Sequence, residues 1–565
     1  MPDIQSKSRR TRLIALYGFA FLALFVFLLW KCSFGYANMD EAFYLTVPYR
    51  MCRGDRLLLH EWNLSQLTGV LLYPAVRLFL LLHGSTDHIL LSFRCLFTAV
   101  WALGAVFLFL RLKDFSLPGS MLASLAFLIY TPFGIMALSY NSLGILLFVS
   151  SLTIAVSART RPGIQFLAAG VLFAGAVLCC PYLVLVYLLM TAACLCVALG
   201  KRKRALALWL WFSLGCGALL AVFCAFVFSK ETGIREILTT LPFLLEDPEH
   251  PKISLGESLR AYLSSIYHCS GLFPACFAVS VVLLALPFLT GHVMPCFAAS
   301  CLVCVVLQIS ILRELPYLNF VMFPLNMAVP FCALHCKTRA VRLPFFGIWA
   351  PGGLYTLCSF LASNQKFFVI SSVSTVMTVA GIVMLCASVP YLQAHEQNRR
   401  GTWAALLALA LLLGVQLSAE TALRYSSVFW EPGGMSAQTL TAAAGPERGI
   451  RMTPERLEQY SAMAGDVSVI RSREGVQKIL FVSENTVLYL MAEKDFSTYS
   501  AWLGRGSRHS IDRLDTYFSL FPDKLPDGIY LDASFSKYLD RFLWQGYRTE
   551  RLPSGAFFIT KGETV

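Results

Sequence analysis

Long apolar runs, separated by short polar stretches, fill the first 419 residues of the chain. A helix needs about 20 mostly apolar residues to cross a bilayer, and thirteen runs approach that length. The runs cover residues 13–30, 89–110, 117–133, 135–157, 164–179, 182–199, 205–228, 270–289, 293–312, 317–335, 343–362, 367–391 and 402–419. The pattern predicts a polytopic α-helical membrane protein with about 13 transmembrane helices.

The first run follows a basic segment and resembles the start of a secretory signal. It ends in Trp30 and Lys31, whereas a cleavable signal ends in small residues. We therefore expect a retained first span.

The loops between the runs alternate in charge. Every second loop is short and basic, with its Lys and Arg at 111 and 113, 159 and 161, 201–204, 337, 339 and 342, and 399 and 400. The positive-inside rule places these loops in the cytoplasm. The N-terminus is then cytoplasmic, and an odd number of spans leaves the tail outside.

The opposite loops hold most of the acids of this part, and two of them, 31–88 and 229–269, are long. The first contains the apolar stretch Leu67 to His83, interrupted by Pro74 and Arg77. This stretch is typical of an amphipathic helix lying in the outer membrane interface.

The tail, 420–565, has a different pattern. Residues 478–483 and 528–532 read as buried strands, 485–494 and 535–546 as helices, and 557–560 as a final strand after a turn at 554–555. We expect two domains, a transmembrane domain over 1–419 and a small extracytoplasmic α/β domain over 420–565.

Composition supports this division. Of 565 residues, 57% are hydrophobic and 14% charged, against about 25% charged in soluble proteins, which excludes a soluble enzyme. The membrane part carries 29 Lys and Arg against 15 acids, and the tail 17 against 18. The basicity thus follows membrane topology, and we expect no nucleic-acid partner. All 18 cysteines precede residue 420, mostly inside apolar runs, and are expected to be buried thiols.

The first outer loop holds the residues with the clearest chemical potential. Asp40 and Glu41 lie ten positions after the first span. An adjacent pair of carboxylates just outside a bilayer is suited to accepting a proton and orienting a hydroxyl. They open the pattern Asp40-Glu41-x-x-Tyr44. This pattern is followed by Gly54-Asp55, then by the helix with Pro74, and then by Arg94.

In this pattern the sequence resembles the GT-C superfamily of glycosyltransferases, in the branch of the protein O-mannosyltransferases and the aminoarabinose transferase of lipid A. The resemblance covers roughly residues 1–200 and, more loosely, the region from Arg313 to Pro330. It implies transfer of a sugar, with inversion, from a polyprenyl-phosphate donor to a hydroxyl acceptor on a glycan, lipid or protein. A lipid-linked donor also suits an outward-facing loop, since nucleotide sugars are cytoplasmic.

The resemblance implies roles for individual residues. Asp40 matches the catalytic carboxylate and would act as general base, with Glu41 as its acidic neighbour and Tyr44 at the family position. The leaving phosphate needs nearby positive charge, for which we favour Arg313 and then Arg94. His60 and Glu61 are candidates for binding the sugar, the alternative being that they only cap the turn before the interfacial helix.

The chain also departs from the family pattern. Phe43 and Gln66 stand where relatives carry basic residues, and Asn141 where many carry an acid. A metal held by paired acids is therefore not expected, and no cofactor is predicted. His268, His292 and His335 lack metal-ligand spacing and are expected to be structural.

Two other classes of function remain open at this point. A transporter or flippase for a lipid-linked glycan would place ionisable residues and broken helices at mid-membrane, and residues 117–228 offer almost none inside their spans. The third reading is a noncatalytic scaffold whose outer tail binds cell-wall components, or a degenerate transferase, and the departures at Phe43, Gln66 and Asn141 keep this reading open.

Overall fold

The computed structural model describes most of the chain, with short gaps. The described residues are 2–36, 39–199, 203–230, 232–246, 254–363, 365–395, 399–429, 431, 433–503, 508–544 and 546–561.

Helices form almost the whole N-terminal part. The first nine are α1 Pro2–Lys31, α2 Asp40–Cys52, α3 Gln66–His83, α4 Ile89–Leu112, α5 Leu117–Ile129, α6 Tyr140–Ser157, α7 Pro162–Cys179, α8 Leu183–Leu199 and α9 Lys203–Phe228. The next ten are α10 Ile234–Leu245, α11 Leu255–Tyr267, α12 Phe273–Thr290, α13 Val293–Glu314, α14 Val329–His335, α15 Arg339–Pro344, α16 Ala350–Leu361, α17 Lys366–Val373, α18 Thr375–His395 and α19 Arg399–Ser426.

Within the described residues, twelve helical stretches are long and apolar enough to cross a membrane. They are Arg10–Lys31, Gln66–His83, Ile89–Leu112, Leu117–Gly134, Tyr140–Ser157, Pro162–Cys179, Lys203–Phe228, Phe273–Thr290, Val293–Glu314, Leu318–His335, Thr375–Ala394 and Arg399–Ser426. The chain is therefore a multi-pass membrane protein.

The count differs from the expected thirteen at three segments. Leu183–Leu199 is apolar but has only 17 residues. The predicted span 343–362 lies in a helix that continues from α15 into α16 through a π-helical turn at Phe345–Trp349, and each of these two α-helices alone is shorter than a span. Conversely, the predicted interfacial helix Gln66–His83 is long and apolar enough to span. Its interfacial position and the sidedness of the termini stay predictions.

Close helix packing in the membrane part depends on glycine. A Cβ on Gly170 of α7 would lie 1.9 Å from the carbonyl oxygen of Phe212 on α9, and one on Gly215 would lie 2.1 Å from that of Leu167. Small residues at such crossings allow two backbones to approach and gain van der Waals contact. The eighteen cysteines are free thiols, and all except Cys196 are at least partly buried, as expected.

The last membrane helix continues past the predicted domain boundary at residue 419, because α19 ends at Ser426. Beyond it lie β1 Leu440–Thr441, β2 Arg451–Met452, α20 Pro454–Ser472, β3 Lys478–Val482, α21 Val487–Ala492, β4 Asp495–Phe496, α22 Arg508–Leu520, β5 Gly528–Leu531, α23 Leu539–Phe542, β6 Tyr547–Arg551 and β7 Phe557–Lys561.

The C-terminal domain contains a mixed five-stranded sheet in the order β4-β3-β5-β7-β6. Strand β3 is parallel to β4 and β5, whereas β7 is antiparallel to β5 and β6. The predicted strands at 478–483, 528–532 and 557–560 are confirmed as β3, β5 and β7. The predicted helix 535–546 is largely a 3₁₀ turn, Ala533–Tyr538, followed by the four-residue α23.

Candidate active site

Helix α2 carries the acidic pair at its very start. Asp40 is its first residue and Glu41 its second. The unpaired N–H groups at a helix N-terminus carry a partial positive charge, so acids are favoured in this turn. The two carboxylates nevertheless have different surroundings.

Asp40 is partly buried and lies beside its acidic neighbour. Burial, and secondly the charge of Glu41, raise the pKa of Asp40 from 3.8 to about 6. A carboxylate with a pKa near 6 is ionised at neutral pH yet is a stronger base than an ordinary Asp. This environment is suited to a general base.

Two tyrosines stand next to Asp40. Tyr44 lies one helical turn further along α2, and its buried ring meets that of Tyr140 at 5.7 Å between centroids. Burial, together with the proximity of Tyr140 and Asp40, raises the pKa of Tyr44 well above its ordinary value. The Tyr44 hydroxyl therefore stays protonated and can donate a hydrogen bond near Asp40.

Glu41 is held by Arg94 from helix α4. The Arg94 Nε donates to Glu41 at 2.6 Å and Nη2 donates to the second carboxylate oxygen at 2.8 Å. The remaining N–H groups donate to the carbonyls of Cys32, Phe34 and Gly35, each at 3.0 Å. All five guanidinium N–H groups are thus used inside the protein.

Arg94 thus joins helix α4 to the start of α2 and to the backbone that follows the first span. Arg94 and Glu41 are both buried. A phosphate bound directly to Arg94, as expected from the sequence, would have to displace one of these hydrogen bonds. Glu41 acts through Arg94 to fix the position of Asp40.

Arg50, near the other end of α2, organises a second buried cluster. It donates to Asp55 at 2.6 Å, to Glu61 at 2.5 Å, and to the carbonyls of His60 and Thr498 at 2.7 and 2.8 Å. Burial disfavours the charge of Asp55, but Arg50 and its other neighbours outweigh it and hold the pKa of Asp55 well below its ordinary value. Paired and hydrogen-bonded charges of this kind tolerate burial.

His60 and Glu61 belong to this second cluster. Both are buried, and the ring of His60 packs edge-on against Phe521, with 5.1 Å between centroids. Burial lowers the pKa of His60 and raises that of Glu61. Arg50 lies ten residues beyond Asp40, which corresponds to about 15 Å along a helix. The structure does not bring His60 and Glu61 to Asp40 and gives them a structural role there.

The C-terminal domain is docked on the outer loop around α2. Lys524 binds Asp55 at 2.5 Å, and the N–H of Trp62 donates to the carbonyl of Tyr499 at 2.7 Å. Thr486, just before α21, donates its hydroxyl to the carbonyl of Met39 at 2.6 Å. This last contact reaches the residue directly before Asp40, so the soluble domain helps to position the start of α2.

Two of the three departures from the expected pattern make contacts in the structure, and the third is buried. Phe43 packs edge-on against Trp502 of the C-terminal domain, with 5.7 Å between centroids. Gln66 accepts a hydrogen bond from the N–H of Leu58 at 2.8 Å and donates to the carbonyl of Glu61 at 2.5 Å. Asn141 is buried beside Tyr140 in the first turn of α6.

Arg313 lies at the exposed end of α13. Within the described residues, no hydrogen bond or ion pair joins Arg313 to Asp40, Glu41 or Arg94. Its phosphate-binding role stays a prediction without structural support. No group of three or more His, Cys, Asp and Glu side chains placed to hold a metal occurs within the described segments, and metal independence likewise stays a prediction.

Sequence reasoning missed three residues next to this site. They are Tyr140, Lys31 and Arg424, none of which was predicted as a site residue. Lys31 and Arg424 line a pocket with Glu41 and Arg94. The available signal in the sequence was a basic residue close to the end of an apolar helix. A basic side chain that extends from a helix end toward water gives the same pattern, so the signal does not identify a site.

Comparison with known proteins gives one structural similarity. No family model matches the sequence, and no curated protein matches it. Among solved structures, the chain is similar to the crystal structure of ArnT from Cupriavidus metallidurans bound to undecaprenyl phosphate. The two are 12% identical, the similarity covers 98% of this chain and 99% of that one, and the TM-score is 0.46. The function of this chain is therefore inferred from its own residues.

Proposed function

We propose that the protein is an integral membrane glycosyltransferase that moves a sugar from a polyprenyl-phosphate donor to a hydroxyl acceptor at the outer membrane face. The observation that carries the proposal is Asp40, a partly buried carboxylate at a helix N-terminus whose pKa is raised to about 6. A base tuned toward neutral pH is what deprotonation of a hydroxyl during its attack requires.

The reaction proceeds in one displacement. The acceptor oxygen attacks the anomeric carbon, a new glycosidic bond forms, and the bond from that carbon to the phosphate oxygen breaks with its electron pair. Asp40 takes the proton of the acceptor hydroxyl. The configuration at the anomeric carbon inverts, because the acceptor and the leaving group occupy opposite faces of the sugar.

The surrounding residues position this base. Glu41 and Arg94 fix the first turn of α2 through two charge-assisted hydrogen bonds, which are among the strongest in proteins. Tyr44 and Tyr140 offer hydroxyl donors close to Asp40. Thr486 ties the preceding residue to the C-terminal domain.

The test is sugar transfer by purified protein in lipid nanodiscs from synthetic undecaprenyl-phosphate sugars, with water or a glycan as acceptor. Asp40→Asn is compared with wild type at matched folding, with and without a chelator. Asp114→Asn is the matched control, since Asp114 is an exposed acid in a surface ion pair with Arg159. Turnover by wild type and by Asp114→Asn, but not by Asp40→Asn, is expected.

Transfer by Asp40→Asn at the wild-type rate would contradict the role of Asp40. Binding of the lipid donor without turnover in any protein would favour a flippase or a noncatalytic relative.

A further inference from the structure

A small polar pocket lies where the C-terminal ends of α1 and α19 meet the start of α2. Its volume is about 20 Å³, and a buried water molecule needs about 10–15 Å³. The pocket therefore has room for one water molecule or one monatomic ion. Its charged lining residues are Lys31, Glu41, Arg94 and Arg424.

The lining of the pocket has an excess of positive charge. Arg94 and Glu41 bind each other at 2.6 and 2.8 Å, so their charges compensate each other. Lys31 and Arg424 are also buried, and neither forms an ion pair with another described residue. Two positive charges are thus left without a counter-charge in the part of the chain that the structure describes.

Lys31, the last residue of α1, is bound only by neutral groups. Its ammonium group has three N–H donors. It donates to the carbonyl of Arg424 and, at 2.5 Å, to the carbonyl of Ser427. One N–H therefore remains for a further acceptor.

Arg424 is the least satisfied cation of the pocket. Its side chain is only 4% exposed, and its Nε has no hydrogen-bond partner among the described residues. A buried charge without hydrogen bonds or a counter-charge is costly, because it has lost its hydration and gained little in return. A water molecule in the pocket would accept hydrogen bonds from Arg424 but would not supply the missing negative charge.

We propose that the pocket binds one monatomic anion of the halide class, with chloride as the physiological ion. The ion accepts hydrogen bonds from Arg424 and from the third N–H of Lys31. Charge selects an anion, and the volume of the pocket excludes polyatomic anions such as phosphate, sulfate and carboxylates. The site goes beyond the proposed function, because halide binding requires no sugar transfer.

The bound ion would connect segments that meet beside the candidate active site. Lys31 belongs to α1 and Arg424 to α19, while Arg94 and Glu41 join the same pocket to the start of α2. The unfolded chain has no such pocket, so halide binding stabilises the folded state. A buried ion is screened little by salt in solution, which separates this effect from general screening of surface charges.

Thermal unfolding of the protein in nanodiscs of zwitterionic lipid tests the assignment. Sodium gluconate is replaced stepwise by sodium chloride or sodium bromide at constant ionic strength, so that only the anion changes. Inorganic phosphate at constant chloride is the probe for a larger anion. Arg424→Gln removes the main ligand, and Arg342→Gln, an exposed cation elsewhere, is the matched control.

The melting temperatures of wild type and Arg342→Gln are expected to rise with chloride or bromide and to level off as the site saturates. Arg424→Gln should bind chloride about tenfold more weakly or worse. The variant should stay folded, because it removes an unpaired buried charge. Independently of any variant, crystals of wild type grown in bromide should show an anomalous scattering peak beside Arg424.

Equal melting temperatures in chloride and gluconate would overturn the proposal, since they would show that the pocket binds water only. An equal chloride response in wild type and Arg424→Gln would also overturn it, as an effect of salt elsewhere on the protein. Competition between inorganic phosphate and chloride, or a pocket without a bromide peak, would do the same. None of these measurements involves sugar transfer, so the halide site and the proposed reaction stand or fall separately.

Discussion

Replacement of Asp40 by Asn is expected to abolish transfer and, at neutral and alkaline pH, to stabilise the fold. The pKa of Asp40 is raised from 3.8 to about 6 in the folded protein. Below pH 3.8 the carboxyl is protonated in both the folded and the unfolded chain. As the pH rises from about 3.8 to about 6, the folded state loses stability, because the unfolded chain gives up its proton first and solvates the charge better.

The magnitude follows from the difference of about 2 pKa units. Each unit corresponds to 1.36 kcal/mol, so ionised Asp40 costs the folded state about 3 kcal/mol above pH 7. Asn has nearly the shape of the protonated acid and no charge to desolvate. The variant should therefore be more stable than wild type by up to about 3 kcal/mol at pH 8 and equally stable near pH 4.

The assay is thermal unfolding of both proteins in the same nanodiscs at pH 4, 6 and 8, beside transfer rates over the same range. Wild-type transfer should rise through pH 6 and then level off, since the base must be ionised to act. Asp114→Asn should show the same pH profile of transfer as wild type, and its stability relative to wild type should not change with pH. A stability difference between Asp40→Asn and wild type that does not change with pH would refute the reasoning, because it would show that Asp40 is not desolvated.

Three further changes test the scaffold around the site. Arg50→Met leaves the buried carboxylate of Glu61 without its ion-pair partner and leaves Asp55 with Lys524, so it should lower the free energy of unfolding by about 3–5 kcal/mol. Arg53→Met, which breaks an exposed pair, should cost less than about 1 kcal/mol. Gly170→Leu should prevent the close packing of α7 on α9 and reduce the yield of folded protein, while Gly217→Leu, with open space around it, should not. Thr486→Val removes one hydrogen bond to the backbone before α2, so it should slow transfer by up to about tenfold and lower the free energy of unfolding by about 1–3 kcal/mol. An unchanged rate would show that the C-terminal domain does not position that turn.

Local sequence patterns predicted the helices and strands better than they predicted which segments contact each other. The apolar runs and the strands at 478–483 and 528–532 could be read from the sequence because burial dictates which residues occupy them. The end of α19 could not, because Glu420 and Arg424 look like the start of a polar tail. Both are buried by contacts with distant segments, and a single sequence contains no information on those contacts.

The candidate site shows the same difference between local features, which the sequence contains, and long-range contacts, which it does not. Asp40, Glu41 and Tyr44 were selected as candidates because of their place after the first span and the family resemblance, and the helix that begins at Asp40 places residues four apart on one face. The partners of Arg94 and Arg50 were not, because each joins groups that lie far apart along the chain. His60 and Glu61 looked like sugar ligands by their residue type, yet their neighbours in space make them part of an ion-pair cluster.

The sequence by itself determined that this chain crosses a membrane many times, carries a small α/β domain at its end, and has an acidic pair just after its first span. These properties follow from hydrophobicity, periodicity and local charge. Only the tertiary structure decided which acid is paired with Arg94 and which has a raised pKa. The physical reason is that pKa and charge pairing depend on burial and on distances of a few ångströms, which the fold sets between residues remote in sequence.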